Sequence, residues 1–198
     1  MVHIEDIWNL AKSENGKKLD LKYGIKVYNE YENIRFADED KKESDNDKYV
    51  LPEINYKILD NFNIKDIPKA GNIRWLDFDK VLENIVKYNR KPIGINNIIN
   101  KDDMIKIIEE NIVIRRCESG DFIHIKSGRK AVKKLFTDDK IPLNIRGEHV
   151  VVATGFEILW IFRESNIFGD EAGLDRTGEL YRIDENTKNI LKIEVSRR

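Results

Sequence analysis

A single cysteine, Cys117, is all the thiol this 198-residue chain has, so no disulfide can form within it. A reducing compartment fits that usage, and Cys117 reads as a small buried residue beside a strand. No apolar run approaches the ~20 residues a membrane-spanning helix needs. The start, Met1-Val2-His3-Ile4-Glu5-Asp6, is acidic and lacks the apolar core of a secretory leader. The expectation is a soluble, cytoplasmic protein with no membrane partner. A dominant charge sign is missing too: 35 Lys and Arg face 36 Asp and Glu. Net charge is therefore silent about nucleic acid, and only the distribution of charge can speak.

Motifs for chemistry are absent in the same way. There is no Gly-x-x-x-x-Gly-Lys-Ser/Thr loop and no Gly-x-Gly-x-x-Gly opening a helix, so two common phosphate-binding devices are excluded. The Ser-Gly-Gly-x-Asp-Ser loop of ATP-pyrophosphatases is not found either. His3, His124 and His149 are far apart and lack ligand spacing, and one cysteine cannot build a zinc site. No metal is expected. Asp77-x-Asp79 would place two acids on one face of a strand. Such a pair can support acid-base work, although a chain this acidic produces the spacing by chance. No nucleophile elbow points to a Ser/His/Asp triad. No catalytic residue is assigned.

What is present is a core's worth of apolar residues, 40% hydrophobic, under a surface with 36% charged residues. Val2 to Lys12 has helical spacing. Leu19-x-Leu21, Ile25-x-Val27 and Tyr31-x-x-Ile34-x-Phe36 around Tyr23-Gly24 read as two strands and a hairpin. Residues 37–48 are nearly all charged and read as an acidic linker. Strands are expected near Val50-Leu51, at Tyr56–Leu59 and at Ile73–Phe78, and Val81 to Lys91 fits either helix or strand. Asn100-Lys101-Asp102-Asp103 supplies an N-cap and acidic first turn for a helix through Glu110. Strands follow at Ile112–Ile114 and Phe122–Ile125, then a helix over Ser127 to Asp138 stopped by Pro142. Strands at Val150–Ala153, Ile158–Phe162, Leu180–Ile183 and Ile190–Val195 complete the chain.

The stretch from Ile112 to Arg146 differs from the rest. Val132, Leu135 and Phe136 make an apolar stripe on the expected helix, leaving Lys130, Lys133 and Lys134 outward with Arg129 at the entry. Lys126 precedes the Gly128 turn, and Lys140 and Arg146 follow the helix. Such a face would touch a phosphate backbone rather than read bases, because lysine is a point charge. An ordinary solvated face is the alternative.

The same stretch resembles the C-terminal domain of tRNA(Ile)-lysidine synthetases. The resemblance lies in Arg115, Gly120-Asp121, Gly128, Lys130, Lys133, Leu135-Phe136, Asp138, Lys140-Ile141-Pro142, Arg146 and Glu157-Ile158-Leu159-Trp160, in order and spacing. Gly16–Leu21 with Gly24–Val27 and Glu30-Tyr31 resembles the hairpin preceding that domain. Asp77–Lys80 resembles the segment leading into it, and Thr187–Ile193 its last strand. Phe122 stands where the pattern has Arg, and Ala131 where it has a second Lys. The resemblance implies an α+β fold: a strand-rich, sandwich or barrel-like C-terminal domain shared with the phenylalanyl-tRNA synthetase β-subunit, with one or two short helices. A small helix-plus-hairpin module precedes it. The implied organisation is a connecting module at 1–36, the acidic linker at 37–48 and the domain at 49–198, with an insertion at about 82–111.

In that family ATP activates the wobble cytidine of an isoleucine tRNA, and lysine is then joined to it. The resemblance implies the tRNA-holding part of such an enzyme, without the N-terminal ATP-pyrophosphatase domain, and hence no cofactor in this chain. The implied partners are tRNA, specifically tRNA(Ile), and a separate ATP-pyrophosphatase domain. Implied nucleic-acid contacts are Arg115, Arg116, Lys126, Arg129, Lys130, Lys133, Lys134, Lys140 and Arg146. Gly120, Asp121, Gly128, Phe136, Asp138 and Pro142 are the implied structural positions. The alternative is a free-standing RNA-binding or adaptor protein that reuses the domain.

Overall fold

A computed structural model describes residues 2–31, 33–38, 50–60, 67, 71–88, 100–168 and 174–197. Contacts divide the chain into two units, Met1–Val50 with Lys140–Arg146, and Leu51–Asp139 with Gly147–Arg198.

The smaller unit begins with helix α1 (Val2–Ala11) and continues into an antiparallel meander of β1 (Lys18–Asp20), β2 (Ile25–Glu30) and β3 (Asn33–Asp38). The sequence suggested two strands, and the structure has three. The additional strand follows from Tyr31, whose φ of +56° turns β2 back onto β3. Buried Asn29 ties the module together. Its side-chain amide donates to the Leu10 and Ser13 carbonyls, each at 2.9 Å, and so closes the C-terminal end of α1. Of the acidic linker expected at 37–48, Ala37 and Asp38 end β3 and residues 39–48 lie outside the described residues.

The larger unit is α+β and strand-rich. One three-stranded antiparallel sheet has the order β4-β12-β5, from β4 (Glu53–Asp60), β5 (Ile73–Asp77) and β12 (Asn189–Ser196). A second sheet runs β6 (Val113–Arg116), β9 (His149–Thr154), β10 (Glu157–Arg163), β7 (Phe122–Ile125), β8 (Gly128–Ala131), with β11 (Arg176–Thr177) on β10. Only β7 and β10 run parallel within it. No closed barrel forms among the described residues. One apolar core joins the two sheets: Leu191 and Ile193 of β12 meet Val150, Val152, Trp160 and Phe162. Helices α2 (Phe78–Tyr88) and α3 (Lys101–Asn111) add Val81, Ile85 and Ile108 to it.

β9 is buried along its whole length and β10 along nearly all of it. That explains their near-continuous apolar runs, since a strand covered on both faces loses its alternation. Leu159 and Trp160 both enter the same core although they are neighbours. A register shift between Ile158 and Trp160 supplies the extra residue that makes this possible.

α3 forms where its cap signal placed it. Asn100 accepts from the Asp103 amide at 2.9 Å, and Asp103 accepts back from the Asn100 amide. Four local expectations give way. Val50-Leu51 forms no strand, since β4 begins only after Pro52, at Glu53. Asp77 ends β5 while Asp79 lies in the first turn of α2, so the two acids share no strand face. Asp77 instead accepts from the Lys80 amide at 3.1 Å and caps that turn. The segment read as strand around Leu180 is a tight 3-10 turn, Glu179–Tyr181, with Tyr181 fully buried. Most important, the helix expected over 127–138 starts only at Val132, as α4 (Val132–Asp138), because Gly128–Ala131 is strand β8.

Candidate nucleic-acid interface

β7 has a turn at each end, and the predicted site residues Gly120, Asp121, Lys126 and Gly128 sit on or beside those turns. The first turn carries Gly120 at a φ of +99°, a conformation that glycine adopts without strain. It aims the next side chain, Asp121, inward, where it is 2% exposed. Arg115 on β6 meets it with both guanidinium nitrogens, at 2.8 and 2.7 Å. The fork also donates to the Arg116 and Gly155 carbonyls, and Asp121 accepts from the Glu118 amide at 2.8 Å. This carboxylate raises the Arg115 pKa further. Arg115 and Asp121 together are a tie between strands, and Arg115 has little left to offer a phosphate. Arg116, next on β6, is half-buried. Burial pushes the neighbouring Cys117 thiol up to about 12, so it stays protonated and unreactive.

The second turn, Lys126-Ser127, closes the β7–β8 hairpin, with Ile125 opposite Gly128. Gly128 has a φ of +113° and open space around it. Both Lys126 and Arg129 are exposed. Because successive strand residues point to opposite faces, β8 splits the basic run. Lys130 pairs with Asp138 of α4 at 2.7 Å, which holds the Asp138 carboxyl below its usual range. Arg129 faces away from Lys130, alongside His124 and Phe122. Its guanidinium lies over the Phe122 ring at 4.7 Å and donates to the Tyr88 hydroxyl at 2.5 Å.

Helix α4 buries Val132, Leu135 and Phe136 as its spacing predicts, and Phe136 packs on the His149 ring at 4.9 Å. Lys133 and Lys134 point outward and form no ion pair among the described residues. The expected continuous face of Lys130, Lys133 and Lys134 with Arg129 is thus corrected. Lys133 and Lys134 are open cations on the helix, Lys130 is neutralised by Asp138, and Arg129 belongs to the opposite face of the hairpin. Lys140, Pro142 and Arg146 fall in the smaller unit. There Lys140 is exposed with a φ of +53°. Arg146 donates to the Ile141 carbonyl at 2.8 Å and to the Tyr31 hydroxyl at 2.7 Å.

A buried polar group that the sequence did not single out lies beside the Arg129 face. Glu157 is 2% exposed and its Oε1 is 2.8 Å from His124 Nδ1. The same oxygen accepts from the Tyr181 hydroxyl. Burial, then this carboxylate, raises the Tyr181 pKa. Its only trace in the sequence was Glu157 within the Glu-Ile-Leu-Trp run. Among the described residues, no three His, Cys, Asp or Glu side chains converge in a way that could hold a metal ion. None of the described helices is long and apolar enough to cross a membrane. An open cleft lined by Arg74, Trp75, Lys126, Arg176 and Arg182 adjoins the hairpin tip. Of the predicted contacts only Lys126 lines it.

No protein-family model matches the chain. Individual relatives do. It is 32% identical over 199 residues to the tRNA(Ile)-lysidine synthase of Clostridium tetani and 30% over 198 residues to that of Clostridioides difficile. Identity to the tRNA(Ile)-lysidine synthase of Caldanaerobacter subterraneus is 28% over 204 residues. Each match takes in 98% of this chain but only 36–37% of the relative. The chain thus spans little more than a third of the length of the curated relatives it matches.

Proposed function

With homologues that are tRNA(Ile)-lysidine synthases along nearly its whole length, we propose that this chain is the C-terminal, tRNA-holding portion of such an enzyme. It supports the ATP-dependent joining of lysine to the wobble cytidine of tRNA(Ile) and is not catalytic alone. ATP and the chemistry belong to an ATP-pyrophosphatase portion in the two thirds of the relatives outside the match. The work would be cytoplasmic, where tRNA is modified.

The observation that carries the tRNA contact is the pair of open lysines, Lys133 and Lys134, on a short helix whose other side is anchored in the core. A phosphate backbone needs this: fixed cations that are not already neutralised from within. Lys126 at the hairpin tip has the same property. Lys130 and Arg115 have internal carboxylates and serve mainly to shape the surface.

The test is tRNA(Ile) binding across a salt series. If about two to four phosphates are neutralised, the slope of log affinity against log salt lies near −2 to −4. Lys133→Ala with Lys134→Ala lowers affinity and flattens that slope by about two. Equal affinity and slope in the two proteins would refute the contact. Labelled lysine is expected in tRNA only when the ATP-pyrophosphatase portion of a relative is added. Incorporation by this chain by itself would overturn the division of labour.

A further inference from the structure

Arg129 differs from most of the described arginines of its unit. Arg74, Arg115, Arg163, Arg176, Arg182 and Arg197 each lie against a carboxylate. Arg129 has none within ion-pair distance among the described residues. Its partners are neutral: the face of Phe122 at 4.7 Å and the hydroxyl of Tyr88 at 2.5 Å. Phe122 is itself braced by the His124 ring in a T-shaped pair, at 5.9 Å and 83°. The guanidinium is therefore held by a ring on one side and a hydroxyl at its rim, has no carboxylate against it among the described residues, and remains exposed. A solvated cation with no task needs no such frame. Holding a rotamer-rich side chain still has an entropic cost, and orienting a flat cation serves only a flat or forked ligand.

We infer that Phe122, Arg129 and Tyr88 form a stacking platform for an unpaired nucleobase of the bound RNA. This deepens the tRNA-holding reading and rests on it. The guanidinium takes one face of the base, Phe122 supports it from beneath, and the positive charge suits the adjoining phosphate. Stacking of unpaired bases on aromatic rings and arginine planes is how proteins engage single-stranded RNA segments. The platform lies on the hairpin face opposite Lys130. It would therefore engage a different part of the RNA from the α4 lysines, which suit the backbone of a duplex.

Hexa-adenosine RNA and a blunt-ended RNA duplex with the same number of phosphates test this on the full chain. Arg129→Lys keeps the charge and removes the plane. It is expected to weaken hexa-adenosine about ten-fold, within the range for loss of one stacked base, with the salt slope and duplex binding unchanged. Tyr88→Phe, which frees the guanidinium rim, gives a smaller loss in the same direction. On hexa-adenosine binding the Arg129 Nε–H resonance moves upfield under the base's ring current. Wild-type affinity in Arg129→Lys would reduce Arg129 to a phosphate contact and overturn the inference. Equal displacement of hexa-adenosine by an oligoglutamate peptide would overturn it in favour of an acidic protein partner. If tRNA binds through Lys133 and Lys134 but hexa-adenosine does not bind, the platform falls and the tRNA-holding reading stands. If instead hexa-adenosine binds as expected and Lys133→Ala/Lys134→Ala leaves tRNA binding intact, the lysine contact falls and the platform stands.

Discussion

The two turns at the ends of β7 look alike in sequence. Each has a glycine with positive φ, a basic residue close by and a resemblance to the same enzyme family. Their charges have opposite fates. At Gly120 the arginine and the aspartate find each other, Arg115 with Asp121, and the turn is closed to outside partners. At Gly128 the cations Lys126 and Arg129 remain in solvent, and no carboxylate reaches them among the described residues. A basic residue in a sequence is thus not a cation available to RNA. The difference is whether the turn buries an acid, because a buried carboxylate must be matched or it is costly.

Breaking the first turn should have the largest effect. Arg115→Ala leaves the Asp121 side chain, 0% exposed, without its counter-charge. Removal of one partner of a buried pair costs about 3–5 kcal/mol, and the lower end applies because Arg115 is partly solvated. Urea unfolding measures this as a lower midpoint, and a variant as stable as the wild type would show that Asp121 finds other donors. Gly128→Ala strikes the second turn. There is room for a Cβ, so only the φ of +113° opposes it, and the cost is about 1–2 kcal/mol. RNA affinity of the folded protein should fall with it, since the hairpin tip presents Lys126. Unchanged stability would mean that the turn has switched to another type.

Asp138→Asn has the smallest expected effect and sharpens the comparison by converting a closed cation into an open one. It releases Lys130, and the salt slope of tRNA binding should steepen by at most about one. Falling pH should act in the same direction. The Asp138 carboxyl is held below its usual range by Lys130. The pair's contribution is therefore complete above the ordinary aspartate pKa and is lost as pH falls through the lowered one. A slope that does not change in Asp138→Asn would show that Lys130 remains turned away from the RNA.

The sequence was most legible where local signals agreed. The Asn100–Asp103 box started α3, and the apolar runs of β9 and β10 declared themselves. The spacing of Val132, Leu135 and Phe136 marks a core stripe, and all three are buried. It was least legible at Gly128–Ala131. Arg-Lys-Ala favours helix locally, and only pairing with β7 across the Lys126-Ser127 turn makes it a strand. That one difference moved Arg129 to the other face from Lys130 and divided the expected basic patch. Asp77 and Asp79 parted for a similar reason, because β5 stops at Asp77 and a helix begins.

By itself, then, the sequence determined the α+β class, most elements, the core stripe of α4 and the resemblance to the lysidine-forming enzymes. These rest on short-range periodicity, capping and motif spacing, which a linear chain carries in full. Only the tertiary structure decided which cations are already neutralised, which stand free and which are stacked. Those outcomes depend on how the chain folds back on itself: turns bring Asp121 to Arg115 and Asp138 to Lys130, and Tyr88 reaches Arg129 from a distant helix. Local spacing holds no record of which distant groups the fold will bring within hydrogen-bond reach.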